Sequence, residues 1–229
     1  MPVKYSKAIH AQAINPGSVG WFQNQLNNEQ ITYLWKVIEE GEKESVNYKP
    51  NLAGNISRSE KLVDKDDYFL KTVLEPHVDL YCETWQGHPV NHHSITGDGK
   101  LILKDFWVNY QYQHEFNPYH HHGGVYSFVI WMKIPTKWEE QHNLPLYNDT
   151  RIQDRKASNF EFEYLDILGR TTNYAYRLCP KCEGTILFFP SALRHTVYPF
   201  YNCEEPRISI SGNLWMPPRI FYQVGQLKK

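Results

Sequence analysis

With 229 residues, 41% of them hydrophobic, the chain is long enough to bury a core of its own, and a formal charge of −1 gives no bulk argument for a nucleic-acid or acidic-membrane partner. Four cysteines, Cys82, Cys179, Cys182 and Cys203, are too few and too scattered for a disulfide framework, which points to a reducing compartment. The start, Met1-Pro2-Val3-Lys4-Tyr5-Ser6, lacks the apolar run of a signal peptide, and no stretch approaches the length of a membrane span. The expectation is a soluble, cytoplasmic protein. The 16 Tyr, 11 Phe and 7 Trp suit pleated strands, and leave room for an aromatic-rich interface in a homo-oligomer.

In chain order, the first quarter reads as helical cover. Asn27 with Gln30 three residues on forms a helix start, Ile31, Leu34, Trp35 and Ile38 recur on one helical face, and Gly41 is the expected stop. A second helix is predicted from Asp64, with Asp67 in its first turn and Phe69, Leu70, Val73, Leu74 and Leu80 as its buried stripe. Pro76 inside that stripe predicts a kink or a division into two short helices. Between them, residues 51–57 read as an ordered loop.

After the turn signal Gly97-Asp98-Gly99 the texture changes to strand-like runs at 101–112, 125–134, 160–168, 174–178, 185–189, 196–200 and 207–214. Several short strands separated by turns predict a sandwich or barrel rather than a parallel α/β sheet. In 125–134, Tyr126, Phe128, Ile130, Met132 and Ile134 form an unbroken apolar face. In 207–214, Arg207, Ser209, Ser211 and Asn213 share a polar face, while Ile208, Ile210 and Leu214 pack. The segment 137–159 reads as a long insertion of the kind that often serves as a lid or binding loop. Glu161 and Glu163, alternating with Phe160, Phe162 and Tyr164, predict a solvated face on a half-buried strand.

The chemistry concentrates at Phe116-Asn117-Pro118-Tyr119-His120-His121-His122-Gly123-Gly124. On an extended segment side chains alternate, so His120 and His122 point to one side and can grip one ion, with the distant His195 as third ligand. A set of imidazoles without thiolate suits iron, manganese, zinc or copper better than calcium or magnesium. Three protein ligands leave open positions for substrate, cosubstrate or oxygen. Arg207 is the only charge on its strand's polar face, and an arginine facing a barrel interior is costly unless it meets an anion, such as a bidentate carboxylate.

The run 106–214 resembles the iron(II)- and 2-oxoglutarate-dependent dioxygenases. The features that carry the resemblance are the His-x-His pair after a strand, the distal His195, and Arg207-Ile208-Ser209, similar to the Arg-x-Ser element that binds the distal carboxylate of 2-oxoglutarate. More narrowly, residues 116–122, Leu187-Phe188-Phe189-Pro190-Ser191, residues 207–211 and Asn51-Leu52-Ala53-Gly54-Asn55 resemble a branch found in tailed phages and marine bacteria.

The resemblance implies a mainly β fold, a double-stranded β-helix or jelly-roll barrel of the cupin type with the N-terminal helices packed outside. The organisation expected is one domain, with 1–99 as cover, 100–216 as barrel and 217–229 as tail. It implies iron(II) held by His120, His122 and His195, and 2-oxoglutarate held by Arg207 and Ser209, with Asn109 and Tyr112 as further contacts. The implied activity is hydroxylation of a small molecule, nucleobase or peptide side chain, coupled to decarboxylation of 2-oxoglutarate to succinate.

One departure from the family stands at the centre of the motif. The usual pattern is His-x-Asp or His-x-Glu, giving two histidines and a carboxylate, whereas position 122 is His. Either His122 replaces the acid or the register differs; His121 with Gly123 resembles the His-x-Gly of iron halogenases. A three-histidine site also resembles the cupin thiol dioxygenases, which need no 2-oxoglutarate, and a non-catalytic cupin-like module is a third reading. Cys179-Pro180-Lys181-Cys182 has zinc-ribbon spacing but no second pair, and reads as a turn. His88, His92 and His93 read as a surface loop.

Overall fold

A computed structural model describes residues 18–85 and 100–217. The expected turn at 97–99, the patch of His88, His92 and His93, and residues 218–229 lie outside the described residues.

Helix α1 (Asn28–Glu44) opens on the expected capping box: the Asn27 side chain accepts from the Gln30 backbone N–H, and the Gln30 side chain accepts from that of Asn27. Gly41 does not stop it. The helix runs one turn further, to a left-handed cap at Ser45. Gly41 serves close packing instead, since a Cβ there would stand 2.7 Å from Leu62 Cδ2.

Asp64 nucleates the second helical stretch by accepting from the backbone N–H groups of Phe69 and Leu70. A π-helical turn (Leu70–Leu74) leads into α2 (Glu75–Thr84), with Pro76 in its first turn, so the helix divides at the proline as its missing N–H requires. Phe69, Leu70, Val73 and Leu74 are buried. Leu80 is exposed, and Tyr81 takes the inward position expected for it, because the π turn advances the helical face by about one residue.

Among the described residues ten strands form two antiparallel sheets. They are β1 (Phe22–Gln25), β2 (Arg58–Lys61), β3 (Ile102–Gln111), β4 (Asn117–His120), β5 (Tyr126–Lys133), β6 (Asn159–Leu165), β7 (Thr171–Arg177), β8 (Thr185–Pro190), β9 (Arg194–Val197) and β10 (Arg207–Trp215). The major sheet runs β1-β8-β5-β10-β3-β2 and the minor sheet β4-β9-β6-β7. Two antiparallel sheets wrapped face to face make the jelly roll. Its edge strands β1 and β2 come from the N-terminal cover and are polar, so no apolar alternation marks them in the sequence.

Strand parity divides the core in two. On β5, Tyr126, Phe128, Ile130 and Met132 face α1 and the π/α2 stretch, joined by Phe106, Val108, Ile208, Ile210 and Leu214. The opposite parity, Val129 and Trp131, faces Phe160, Phe162 and Phe189 between the sheets. Gly212 interrupts the apolar row of β10 because Phe128 fills its place: a Cβ would lie 2.6 Å from that ring. Each fully buried aromatic here contributes on the order of 2–3 kcal/mol by burial alone.

The segment 137–159, which contains α3 (Trp138–His142) and two 3₁₀ turns, packs along the minor sheet; the cavity between the sheets is lined by other elements. Glu161 is therefore not solvated as alternation suggested. It is fully buried beneath that segment, where Lys156 Nζ reaches its carboxylate at 2.8 Å and Asn159 Nδ2 donates to it. Glu163 is partly exposed and pairs with Arg194. Among the described residues no helix is long and apolar enough to cross a membrane.

Candidate metal centre

Strands β4 and β9 pair antiparallel with His120 directly opposite His195, which brings their ring centroids within 4.3 Å. His122 lies just beyond β4, and the period of two carries its ring to the same side, 5.0 Å from each of the others. Its backbone N–H donates to Ser191 O at 2.9 Å, tying the segment to the turn between β8 and β9. The chain then turns through Gly123-Gly124. Gly124 has φ of 96°, and a Cβ on Gly123 would strike the Trp215 ring at 2.7 Å, so both glycines are required by that wall.

One potential ligand atom from each of His120, His122 and His195 lies within 4.8 Å of the others. His120 Nδ1 stands 2.7 Å from Pro118 O and His195 Nδ1 2.9 Å from Leu193 O. A carbonyl only accepts, so both Nδ1 atoms carry the proton and both Nε2 atoms keep free lone pairs. Burial lowers all three imidazoles below the ordinary histidine value. His122 is pushed down to about 3 by burial and its histidine neighbours, and His195 falls well below the usual range for the same reasons. Neutral imidazoles converging without a carboxylate suit a first-row divalent ion. His121 is exposed at the rim of the cavity, so the alternative register through His121 and Gly123 is not the one that converges.

The three rings open into a cavity of about 340 Å³ between the sheets. Its floor is the inward face of β10 and β3: Arg207, Ser209, Ser211 and Asn213 from one, and Asp105, Trp107, Asn109 and Gln111 from the other. Ser209 stands opposite Asn109 in the register. Arg207 is 2% exposed and its hydrogen bonds go to neutral acceptors: Gln111 Oε1 at 3.0 Å, Ser158 O at 3.3 Å and Tyr198 O at 3.0 Å. Burial lowers its guanidinium to about 9. Among the described residues it makes no ion pair. Tyr112 is not in this cavity; it packs against the helix-side core. Asn109 and Tyr112 are three residues apart, so one strand cannot aim both at one face.

At the far end of the cavity the sequence marks Asn213 and the loop 51–55, but not Asp105, Tyr48, Trp107 or Trp215. Asp105 Oδ2 accepts from Asn213 Nδ2 at 3.2 Å and from Trp215 Nε1 at 2.8 Å. Burial, with the Asp105 carboxylate hydrogen-bonded beside it, pushes the Tyr48 phenol up to about 12. Tyr48 also stacks on Trp107 (4.8 Å between centroids, 15° between planes), and Trp107 lies 5.8 Å from His122. Trp107 Nε1 and Asn109 Oδ1 are buried without a partner. The loop after Tyr48 closes this end through Asn51, Leu52 and Ala53, held down where Asn55 N–H donates to Phe116 O. Cys179 and Cys182 sit at a 3₁₀ turn, and among the described residues no third metal-ligating group joins them.

Residues 105–213 match a protein-family model described as "Putative 2OG-Fe(II) oxygenase". No curated protein matches the sequence. Among solved structures, the chain is similar to a prolyl-4-hydroxylase from Pseudomonas putida, with 15% identity, 88% of this chain and 95% of that one covered, and a TM-score of 0.50. It is also similar to OsALKBH1, with 12% identity, 87% and 98% covered, and a TM-score of 0.46. An oxidoreductase of the 2OG-Fe(II) oxygenase family from Burkholderia pseudomallei has 13% identity, 72% and 63% covered, and a TM-score of 0.38. At such identity the likeness to the first of these speaks for a shared fold.

Proposed function

We propose, from the match of residues 105–213 to the 2OG-Fe(II) oxygenase family model, that this protein is a hydroxylase that couples substrate oxidation to decarboxylation of 2-oxoglutarate. The observation that carries the reading is the pairing, in one cavity, of three converging neutral imidazoles with a buried arginine that has no anion. The donor set fits iron(II), and the guanidinium fits a carboxylate.

In this reading His120, His122 and His195 hold the metal, His122 standing where the family usually has an acid. When bound, iron(II) with 2-oxoglutarate supplies the oxygen-activating chemistry, as the cofactor does in any such site. The chain's own residues bind and orient. The carbonyls of Pro118 and Leu193 fix two ligand rings by holding their Nδ1 protons. Arg207 receives the distal carboxylate of 2-oxoglutarate, with Ser209 and Asn109 beside it on the floor. Val129, Trp131, Phe160 and Phe189 exclude water from the inner wall.

A three-histidine dioxygenase working without 2-oxoglutarate, or a non-catalytic module, leaves Arg207 as an unexplained buried cation, and neither reading gains support. The test is oxygen-dependent formation of succinate from 2-oxoglutarate by the iron-loaded protein. Succinate that depends on iron(II), and is lost in His195→Ala, is the result expected. Its absence from a protein with metal and 2-oxoglutarate both bound would overturn the reading.

A further inference from the structure

The cavity has two charged ends, and only one is used by the chemistry above. Arg207 lies opposite Gln111 in the register, and Asn213 lies opposite Asp105. Six residues along β10 separate the two ends, roughly 20 Å at the rise of an extended strand. A five-carbon diacid held at Arg207 does not reach that far. Among the described residues Asp105 is the only carboxylate in the lining.

We propose that Asp105, held by Asn213, Trp215 and Tyr48 at the far end of the cavity, forms a subsite for a cationic nitrogen, so that the substrate carries an alkylammonium group. The inference deepens the oxygenase reading and rests on it for calling the ligand a substrate.

Three observations carry it. First, the donors hydrogen-bonded to Asp105, namely Asn213 Nδ2, Trp215 Nε1 and the Tyr48 phenol, are all neutral. They orient the carboxylate and leave its charge unbalanced. Among the described residues Asp105 makes no ion pair; Lys104, its chain neighbour, stands instead over the Trp215 ring at 4.1 Å. Second, among the described residues Arg207, at the other end, is the only Lys or Arg in the lining; Lys104 stands over the Trp215 ring and is not part of it. Third, the subsite abuts the metal centre, with Trp107 5.8 Å from His122. A cation anchored there places its adjoining carbon chain beside the histidine cluster. Trp107 Nε1, buried and unpartnered, supplies a donor for an oxygen on the same ligand. An anionic or wholly apolar substrate leaves the carboxylate uncompensated.

The test uses the full chain loaded with zinc(II) and 2-oxoglutarate, following the indole N–H signals of Trp107 and Trp215 by NMR. The probes are n-butylammonium and its near-isosteric neutral counterpart 1-butanol. The ammonium should perturb both signals and bind about tenfold or more tightly than the alcohol, as a carboxylate without an ion-pair partner requires. In Asp105→Asn, which keeps side-chain volume, the two probes should bind equally while zinc affinity changes less than about twofold.

Equal binding of the two probes by the unaltered protein overturns the proposal without reference to any variant. So does loss of metal affinity in Asp105→Asn, which would assign the carboxylate to the metal. A protein that binds metal and 2-oxoglutarate but does not distinguish the probes fails this inference alone. One that distinguishes the probes but binds no 2-oxoglutarate fails the oxygenase reading.

Discussion

Replacing Arg207 by Met should leave the ligand-free protein about as stable as before and remove the stabilisation that 2-oxoglutarate gives. The guanidinium is 2% exposed and burial lowers it from the ordinary arginine value to about 9, which corresponds to a penalty on the order of 5 kcal/mol for keeping it charged in the fold. Its hydrogen bonds to Gln111, Ser158 and Tyr198 offset that by about 1.5–3 kcal/mol each, the range for bonds to a charged group, and Met gives them up. The two terms are of similar size, so the melting temperature of the ligand-free protein should change little.

2-Oxoglutarate should lose about 2–5 kcal/mol of binding, the usual range for a truncated buried charge pair. Scanning fluorimetry of both proteins with cobalt(II), with and without 2-oxoglutarate, separates the two effects. The unaltered protein should melt higher with ligand, and Arg207→Met should melt close to the unaltered protein without ligand and show no ligand shift. A variant that keeps the ligand shift, or that melts far lower without ligand, would mean that Arg207 is a strut satisfied by its neutral partners, and the reasoning fails.

His195→Ala should weaken cobalt(II) binding at least about tenfold, since it removes one of three converging nitrogens. His121→Ala should leave that affinity unchanged by isothermal titration; the reverse order would restore the other register. For 2-oxoglutarate the sign of the pH dependence follows from Arg207: the bound anion favours the charged guanidinium, so the value near 9 in the free site rises on binding. Affinity should hold from pH 7 to about 9 and then weaken, by up to about tenfold per pH unit; titrations showing constant affinity to pH 10 would contradict the role. Gly41→Ala should destabilise by about 1–3 kcal/mol, because its Cβ meets Leu62 at 2.7 Å and the Lys61 carbonyl at 3.2 Å. Urea unfolding reads that directly, and a neutral result would show that β2 yields to the helix.

The parts of this site readable in the sequence are those that strand parity controls. His120 and His122 converge because they are two apart. The polar row from Arg207 to Asn213 faces the cavity because each of its residues is two from the next. The same rule, carried along β3, would have grouped Asp105, Trp107, Asn109 and Gln111, and excluded Tyr112.

What parity does not carry is the partner of a strand. Asp105 gains its meaning from Asn213 and Trp215 across the ladder, and Tyr48 reaches it from a loop more than fifty residues away in sequence. Glu161 alternates as a surface residue would, yet a non-local segment brings Lys156 over it and buries both the charge and the signal. The π turn before Pro76 exchanged Leu80 for Tyr81 at the core, a shift of one residue that a fixed helical period cannot register. Gly41 reads as a helix terminator in isolation; only the neighbour it packs against makes it a contact.

The central claim is that the histidine cluster and Arg207 form one iron and 2-oxoglutarate site. Titrating the anaerobic protein with iron(II) and then 2-oxoglutarate tests it most directly, with metal content measured independently. One equivalent of each should bind, and the weak visible charge-transfer band of an iron(II)–2-oxoglutarate complex should grow with the second addition and be absent in Arg207→Met at the same concentrations. Bound iron with no 2-oxoglutarate binding and no band would contradict the account.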